Sequence, residues 1–222
     1  MENNKTSKVK ISAFTISLDG FGTGLNQSKE NPMGVKGSEL HPWMRPTKMF
    51  QSMLFGKDGG TVGVDNDFAE RSMENIGAWI MGRNMFAPSR GPWSDDGWKG
   101  WWGEEPPYHG PTYILTHHAR EPIKMKGGTT FYFITGGIEA ALAEAKKAAN
   151  GKDIRILGGV STIRQYLQAG CVDEMHFVIS PVFLGSGEHL FSGIDISKLG
   201  FNQINRVEGE NATHILLTKE QK

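Results

Sequence analysis

The 222-residue sequence has little of what usually announces a function. It holds one cysteine, Cys171, so an intrachain disulfide is excluded and so is a cysteine-rich zinc pattern. That residue lies between "LQAG" and "VDEM" with no base visibly paired to it, and reads as a small core residue. Charge of either sign is not in excess: 24 Lys and Arg balance 24 Asp and Glu, for a formal net charge of zero. Nucleic-acid backbones select broadly basic surfaces, so a nucleic-acid partner is not expected. A local basic pocket for one small anion stays compatible with that balance. No apolar run approaches the roughly 18 residues of a membrane span. The polar start "MENNKTSKVK" lacks the apolar segment of a signal peptide. A cytoplasmic protein with no membrane contact is expected, and residues 1–8 are expected to be a disordered tail. Familiar phosphate and metal motifs are missing too. "GFGTGL" at 20–25 lacks the third glycine of G-x-G-x-x-G, "LGSGEHL" fails likewise, and neither G-x-x-x-x-G-K-[ST] nor H-E-x-x-H occurs. A Rossmann domain and a P-loop are therefore disfavoured, and no metal site is expected.

What is present is a rhythm of strands and helices. Hydrophobic content of 38% suits a chain that buries a real core. "VKISAFTISLD" at 9–19 reads as a strand, and loop-like composition then runs to about residue 62. Residues 65–76 read as a helix with Asp65 as N-cap, and 77–82 as a short apolar strand. Strands follow at 111–116 and 129–135, then an amphipathic helix over "IEAALAEAKKAAN". "DIRILGG" is a strand, "STIRQYLQAG" a helix with Ser161 as N-cap, and "VDEMHFVISPVFLG" a strand. "LGFNQINRVE" and "ATHILLTKE" close the chain as an antiparallel hairpin. The expected fold is α/β: one domain over 9–222, with a mixed, mainly parallel sheet flanked by helices and an antiparallel C-terminal edge.

In open α/β sheets, ligands bind at the carboxyl ends of strands. The residues there are Asp19 and Gly20, then Gly82 and Arg83, then Thr116, His117 and His118, then Gly158 to Thr162. Arg83 offers a fork suited to a phosphate. Thr116 and the histidines offer polar donors. Gly158-Gly159 permits close approach, and the N–H groups of the following helix favour an anion. A ligand with two separated phosphate groups would use all of these, and a dinucleotide is the obvious candidate. Four of six tryptophans fall in 89–110, and the loop at 24–60 carries aromatics and methionines. Both segments are expected to border one pocket near Gly158.

These strand ends, with "SLDGF" at 17–21, "WIMGRNMF" at 79–86, "ILTHHARE" at 114–121, the long block at 134–191 and "THILLT", carry a resemblance. The chain resembles the dihydrofolate reductase-like superfamily, in the group of the C-terminal reductase domain of bifunctional riboflavin-biosynthesis deaminase-reductases. The resemblance implies NADPH as hydride donor, a small-molecule substrate that is pterin-like or a ribityl-pyrimidine, and a homodimer. It implies cofactor contacts from Gly82, Arg83, Thr116, His117, Gly158, Gly159, Val160, Ser161 and Thr162, with a cis bond between the two glycines. On the substrate side it points to Asp67, near Asp65 and Glu70, and to Asp19, which equally suits a role in holding its turn. No deaminase domain or zinc motif is expected upstream of the block. A non-catalytic nucleotide-binding protein of the same fold stands as the alternative.

Overall fold

Val9–Ser17 (β1) starts the sheet as the sequence pattern predicts, and the antiparallel hairpin closes it. The computed structural model describes residues 7–87, 89–94 and 96–219; of the tail expected at 1–8, all but Ser7 and Lys8 lie outside the described residues. The further strands are β2 Phe21–Thr23, β3 Ile76–Gly82, β4 Pro111–Leu115, β5 Ile123–Lys124, β6 Thr130–Ile134, β7 Asp153–Gly158, β8 Glu174–Ser180, β9 Glu188–His189, β10 Gln203–Glu208 and β11 Thr213–Thr218. The helices are α1 Lys48–Phe55, α2 Val64–Arg71, α3 Arg83–Phe86, α4 Gly137–Ala149 and α5 Val160–Gln168. Among the described residues, nine strands form one sheet in the order β10-β11-β8-β1-β7-β3-β4-β6-β5. The pairs from β8 through β6 are parallel, and β5, β11 and β10 add antiparallel edges. This is the mixed, mainly parallel sheet expected from the strand–helix rhythm.

The two faces of the sheet divide by the two-residue period of its strands. Ile154 and Ile156 of β7 and Ala78 and Ile80 of β3 share a core with Ala141 and Ala145 of α4 and Ile163 and Tyr166 of α5. On the opposite face, Trp79, Met81, Ile114 and Phe131 cluster with Phe86 and Tyr108. Along β1 the register against β8 shifts between Ile11 and Phe14, and Ala13 has φ 54°. This bulge turns successive residues toward one cavity rather than alternating them.

Several local expectations need correction. Helix α2 stops at Arg71 rather than continuing to 76, and its N-cap is Gly63, not Asp65. A distant side chain caps it instead: the Glu210 carboxylate accepts from Val64 N and Asp65 N, each at 2.9 Å. Helix α5 begins after Gly159 with no side-chain cap, so Ser161 is inside the helix and not its cap. Strand β8 ends at Ser180, where Pro181 has no N–H to continue the ladder. The stretch at 24–60 is not all loop. It contains α1, capped by Thr47, whose hydroxyl accepts from Phe50 N at 3.3 Å, and ended by Gly56 at φ 60°.

Candidate cofactor and substrate site

The carboxyl ends of β3, β4 and β7, the start of α5 and the bulge of β1 enclose a cavity of about 800 Å³. Phe50, Met53 and Leu54 of α1 border it, as do Trp101, Trp102 and Tyr108 of the tryptophan-rich segment. The two irregular segments thus meet the same cavity as Gly159. No residue of α1 is fully buried, and Leu54 is 39% exposed: Phe50, Met53 and Leu54 face the cavity, while Met49 packs against a core cluster.

Eight of the nine residues expected at a cofactor line this cavity: Gly82, Arg83, Thr116, His117, Gly159, Val160, Ser161 and Thr162. Gly158 is buried just behind them, and the Gly158–Gly159 peptide is cis. A Cβ on Gly82 would collide with Thr162 Oγ1, so glycine is what lets β3 end against the first turn of α5. A Cβ on Gly159 would meet no atom within 4 Å, which leaves the backbone there open to a close-lying ligand.

Arg83 is the centre of the charged end. Its guanidinium lies 3.6 Å from the Trp93 ring centroid, with Nε donating to Ser89 O at 3.2 Å and Nη1 to Thr116 Oγ1 at 3.5 Å. Nη2 is buried without a partner among the described residues. Arg120 approaches the same Trp93 ring at 5.0 Å and donates to Trp98 O at 2.7 Å. Burial, then the Arg120 charge, pulls the Arg83 pKa below its ordinary value. Two guanidinium groups against one indole, with no carboxylate within ion-pair distance of either among the described residues, favour an anion. The N–H groups opening α5 add to that preference.

The structure does not bring Asp19 or Asp67 to this cavity. Asp67 is exposed on α2. Asp19 accepts from Leu184 N at 3.1 Å and Gly185 N at 2.7 Å, tying the end of β1 to the 184–185 turn. The Ser17 hydroxyl and then those amides hold its carboxyl below the usual range. Among the described residues, Glu188 of β9 is the one acidic side chain lining the cavity. Sequence reasoning passed over Glu188, Arg120 and Arg155. Only Arg155 carried a local signal, as a charge in the middle of the apolar strand "DIRIL".

The family description "RibD C-terminal domain" matches residues 9–213 of the chain. A segment of 111 residues is 29% identical to the riboflavin biosynthesis protein RibD of Bacillus amyloliquefaciens, covering 44% of this chain and 30% of that protein. Matched segments span about a third of the length of the curated relatives. Among solved structures, one described as a riboflavin biosynthesis protein, from Shewanella sp. PV-4, superposes with TM-score 0.54 at 20% identity, covering 97% of this chain and 99% of that one. A pyrimidine reductase-like protein of Corynebacterium diphtheriae superposes with TM-score 0.51 at 14% identity, covering 97% of this chain and 93% of that one. With nearly its whole length matched, the chain belongs to the RibD C-terminal domain family.

Proposed function

We propose that this protein is an NADPH-dependent reductase that transfers hydride to a small heterocyclic substrate, pterin-like or ribityl-pyrimidine-like. The observation that carries the reading is Nη2 of Arg83, without a partner among the described residues, at the cavity end where β3, β4 and α5 converge. That donor, Thr116 and His117 would hold the 2′-phosphate that distinguishes NADPH from NADH. The N–H groups of Val160, Ser161 and Thr162, beside the open backbone of Gly159, would hold the pyrophosphate. NADPH, when bound, supplies the hydride.

The rest of the chemistry falls to the chain itself. Phe50, Met53, Trp101 and Trp102 border the cavity and would exclude water around the reacting ring. Net reduction also needs a proton, and Glu188 is the one lining carboxylate among the described residues to deliver it, directly or through a water. Neither Asp19 nor Asp67 is placed for that task. The alternative of a nucleotide-binding protein without turnover rests on the same placement, since the expected substrate-side acids are elsewhere. NADPH oxidation with a panel of pterins and ribitylated pyrimidines separates the two. Substrate-dependent loss of NADPH absorbance supports the reductase, and NADPH binding without turnover on any panel member supports the binding protein.

A further inference from the structure

Three buried side-chain nitrogens have no hydrogen-bond partner among the described residues: His41 Nδ1, Arg83 Nη2 and Arg155 Nε. All three residues line the cavity. Arg83 is accounted for by the cofactor end. Arg155 is not. It pairs in register with Trp79 on β3, whereas Gly158 pairs with Met81. It therefore lies four residues upstream of Gly159 along β7, roughly 13 Å at about 3.3 Å per residue. Arg83 and Arg155 thus address the cavity at two different places.

Arg155 is 8% exposed and has no carboxylate within ion-pair distance among the described residues. Its Nη1 donates to Ser72 O at 2.6 Å and Ser72 Oγ at 3.0 Å, and its Nη2 to Ser12 O at 2.8 Å. These neutral partners fix the guanidinium between the end of α2 and the β1 bulge but leave its charge uncompensated. A buried cation without a counter-ion is costly, and a ligand anion would relieve that cost. Tyr108 stands beside it. The Tyr108 ring is 5.3 Å from Trp79, and the Arg155 guanidinium is 5.7 Å from the same indole. The Tyr108 hydroxyl makes no hydrogen bond among the described residues, although Tyr108 is only 8% exposed. Burial pushes its pKa well above the ordinary phenol value, so it stays a neutral donor. Trp102 packs edge-on to the Tyr108 ring at 5.1 Å and also lines the cavity.

We propose that Arg155 and Tyr108 form a second, inner recognition site for a negatively charged oxygen group on a small planar ligand, the part of the substrate farthest from the cofactor phosphates. The proposal rests on the reductase reading only in calling that ligand the substrate. Arg155 supplies charge and Nε–H, Tyr108 supplies O–H, and the surrounding indoles flank a flat ring.

The test uses benzoate as probe and benzamide as its neutral isostere, titrated by tryptophan fluorescence into protein saturated with NADPH, which fills the outer cationic end. Benzoate should bind at least about tenfold more tightly than benzamide. Tyr108→Phe keeps the ring and removes only a hydroxyl that makes no hydrogen bond among the described residues. It should keep the wild-type Tm and weaken benzoate about tenfold, with benzamide unaffected. Arg155→Met should abolish the preference for benzoate; if that variant does not fold, Tyr108→Phe alone decides. Equal binding of the two probes, or a benzoate preference that survives Tyr108→Phe undiminished, overturns the inner site and leaves NADPH binding standing. If NADPH itself does not bind, the same probe titration on the protein alone still decides the inner site, while the cofactor reading falls.

Discussion

The backbone N–H of Ala13 donates to Nδ1 of His176 at 3.2 Å, and this bond sets the direction of a buried relay. An amide can only donate, so Nδ1 of His176 carries no proton. Its Nε2 then donates to His214 Nδ1 at 3.0 Å, and His214 Nε2 to Asp65 Oδ1 at 2.9 Å. Asp65 Oδ2 accepts in turn from Asn211 N at 2.9 Å. Phe68 stacks on His214 at 4.2 Å and tilts over His176 at 4.8 Å, and His214 is wholly buried. The relay ties α2 and β11 to the β1 bulge, and through Ala13 to the cavity wall.

Acid should therefore unfold this protein early. Burial first, then the electrostatic effect of His214, Arg155 and Arg71, pushes His176 down from 6.5 to about 3. Burial, then Arg45, pushes His41 down from 6.5 to about 4. Both folded values lie below the unfolded one, so the unfolded chain binds more protons in that window. The stability present above pH 6.5 is lost as pH falls toward 4, by up to about 1.4 kcal/mol per pH unit for each group. Thermal melts between pH 7.5 and pH 4.5 check this. His176→Gln should lower Tm at neutral pH and flatten the acid limb; an acid limb parallel to wild type would remove His176 from the account.

Gly82→Ala should cost about 1–3 kcal/mol, since its Cβ would push Thr162 and the first turn of α5 away from β3. Because α5 opens onto the proposed pyrophosphate site, the same change should weaken NADPH. A denaturant melt with a cofactor titration reads both effects. Unchanged values in both would mean the Gly82–Thr162 contact is not needed.

Glu188→Gln should lower kcat by about 10²-fold with NADPH affinity unchanged, as loss of a proton donor does. Asp67→Asn should leave kcat unchanged, because Asp67 is exposed on α2 and off the cavity. The reverse pattern in steady-state kinetics would return the role to Asp67.

A homodimer is expected. Leu18 and Phe183, at the end of β1 and just past β8, are 52% and 67% exposed, as an apolar surface buried across a two-fold would be. Light scattering should give twice the chain mass at micromolar concentration, and Phe183→Glu should halve it. A monomer for wild type would contradict the expectation.

The parts of this architecture legible in the sequence are the local ones. The alternation of β1 and β7, the amphipathic period of α4, and Gly82-Arg83 and Gly158-Gly159 at strand ends all announce themselves within a few residues. Helix α1 was legible in principle, since Thr47 and Gly56 are ordinary cap residues, but Phe50, Met53 and Leu54 face the cavity and only Met49 packs against a core cluster, so it lacks a continuous core-facing stripe. What no local pattern shows is long-range pairing. Asp65 looks like an N-cap until His214, 149 positions later, donates to it, and Glu210 does the capping instead. Arg155 reads as one polar residue in a strand; only the fold shows it buried with an unused Nε–H on the cavity wall.

Arg83 is proposed to mark the phosphate end of an NADPH site. The direct measurement is titration of NADPH and NADH into wild type and Arg83→Ala. The 2′-phosphate is present only in NADPH, and a charge-assisted bond to a guanidinium contributes about 1.5–3 kcal/mol when shielded from water. Arg83→Ala should therefore weaken NADPH about 10- to 100-fold while leaving NADH nearly unchanged. Equal losses for both cofactors, or no loss for either, would show that Arg83 does not read the 2′-phosphate and would contradict the account.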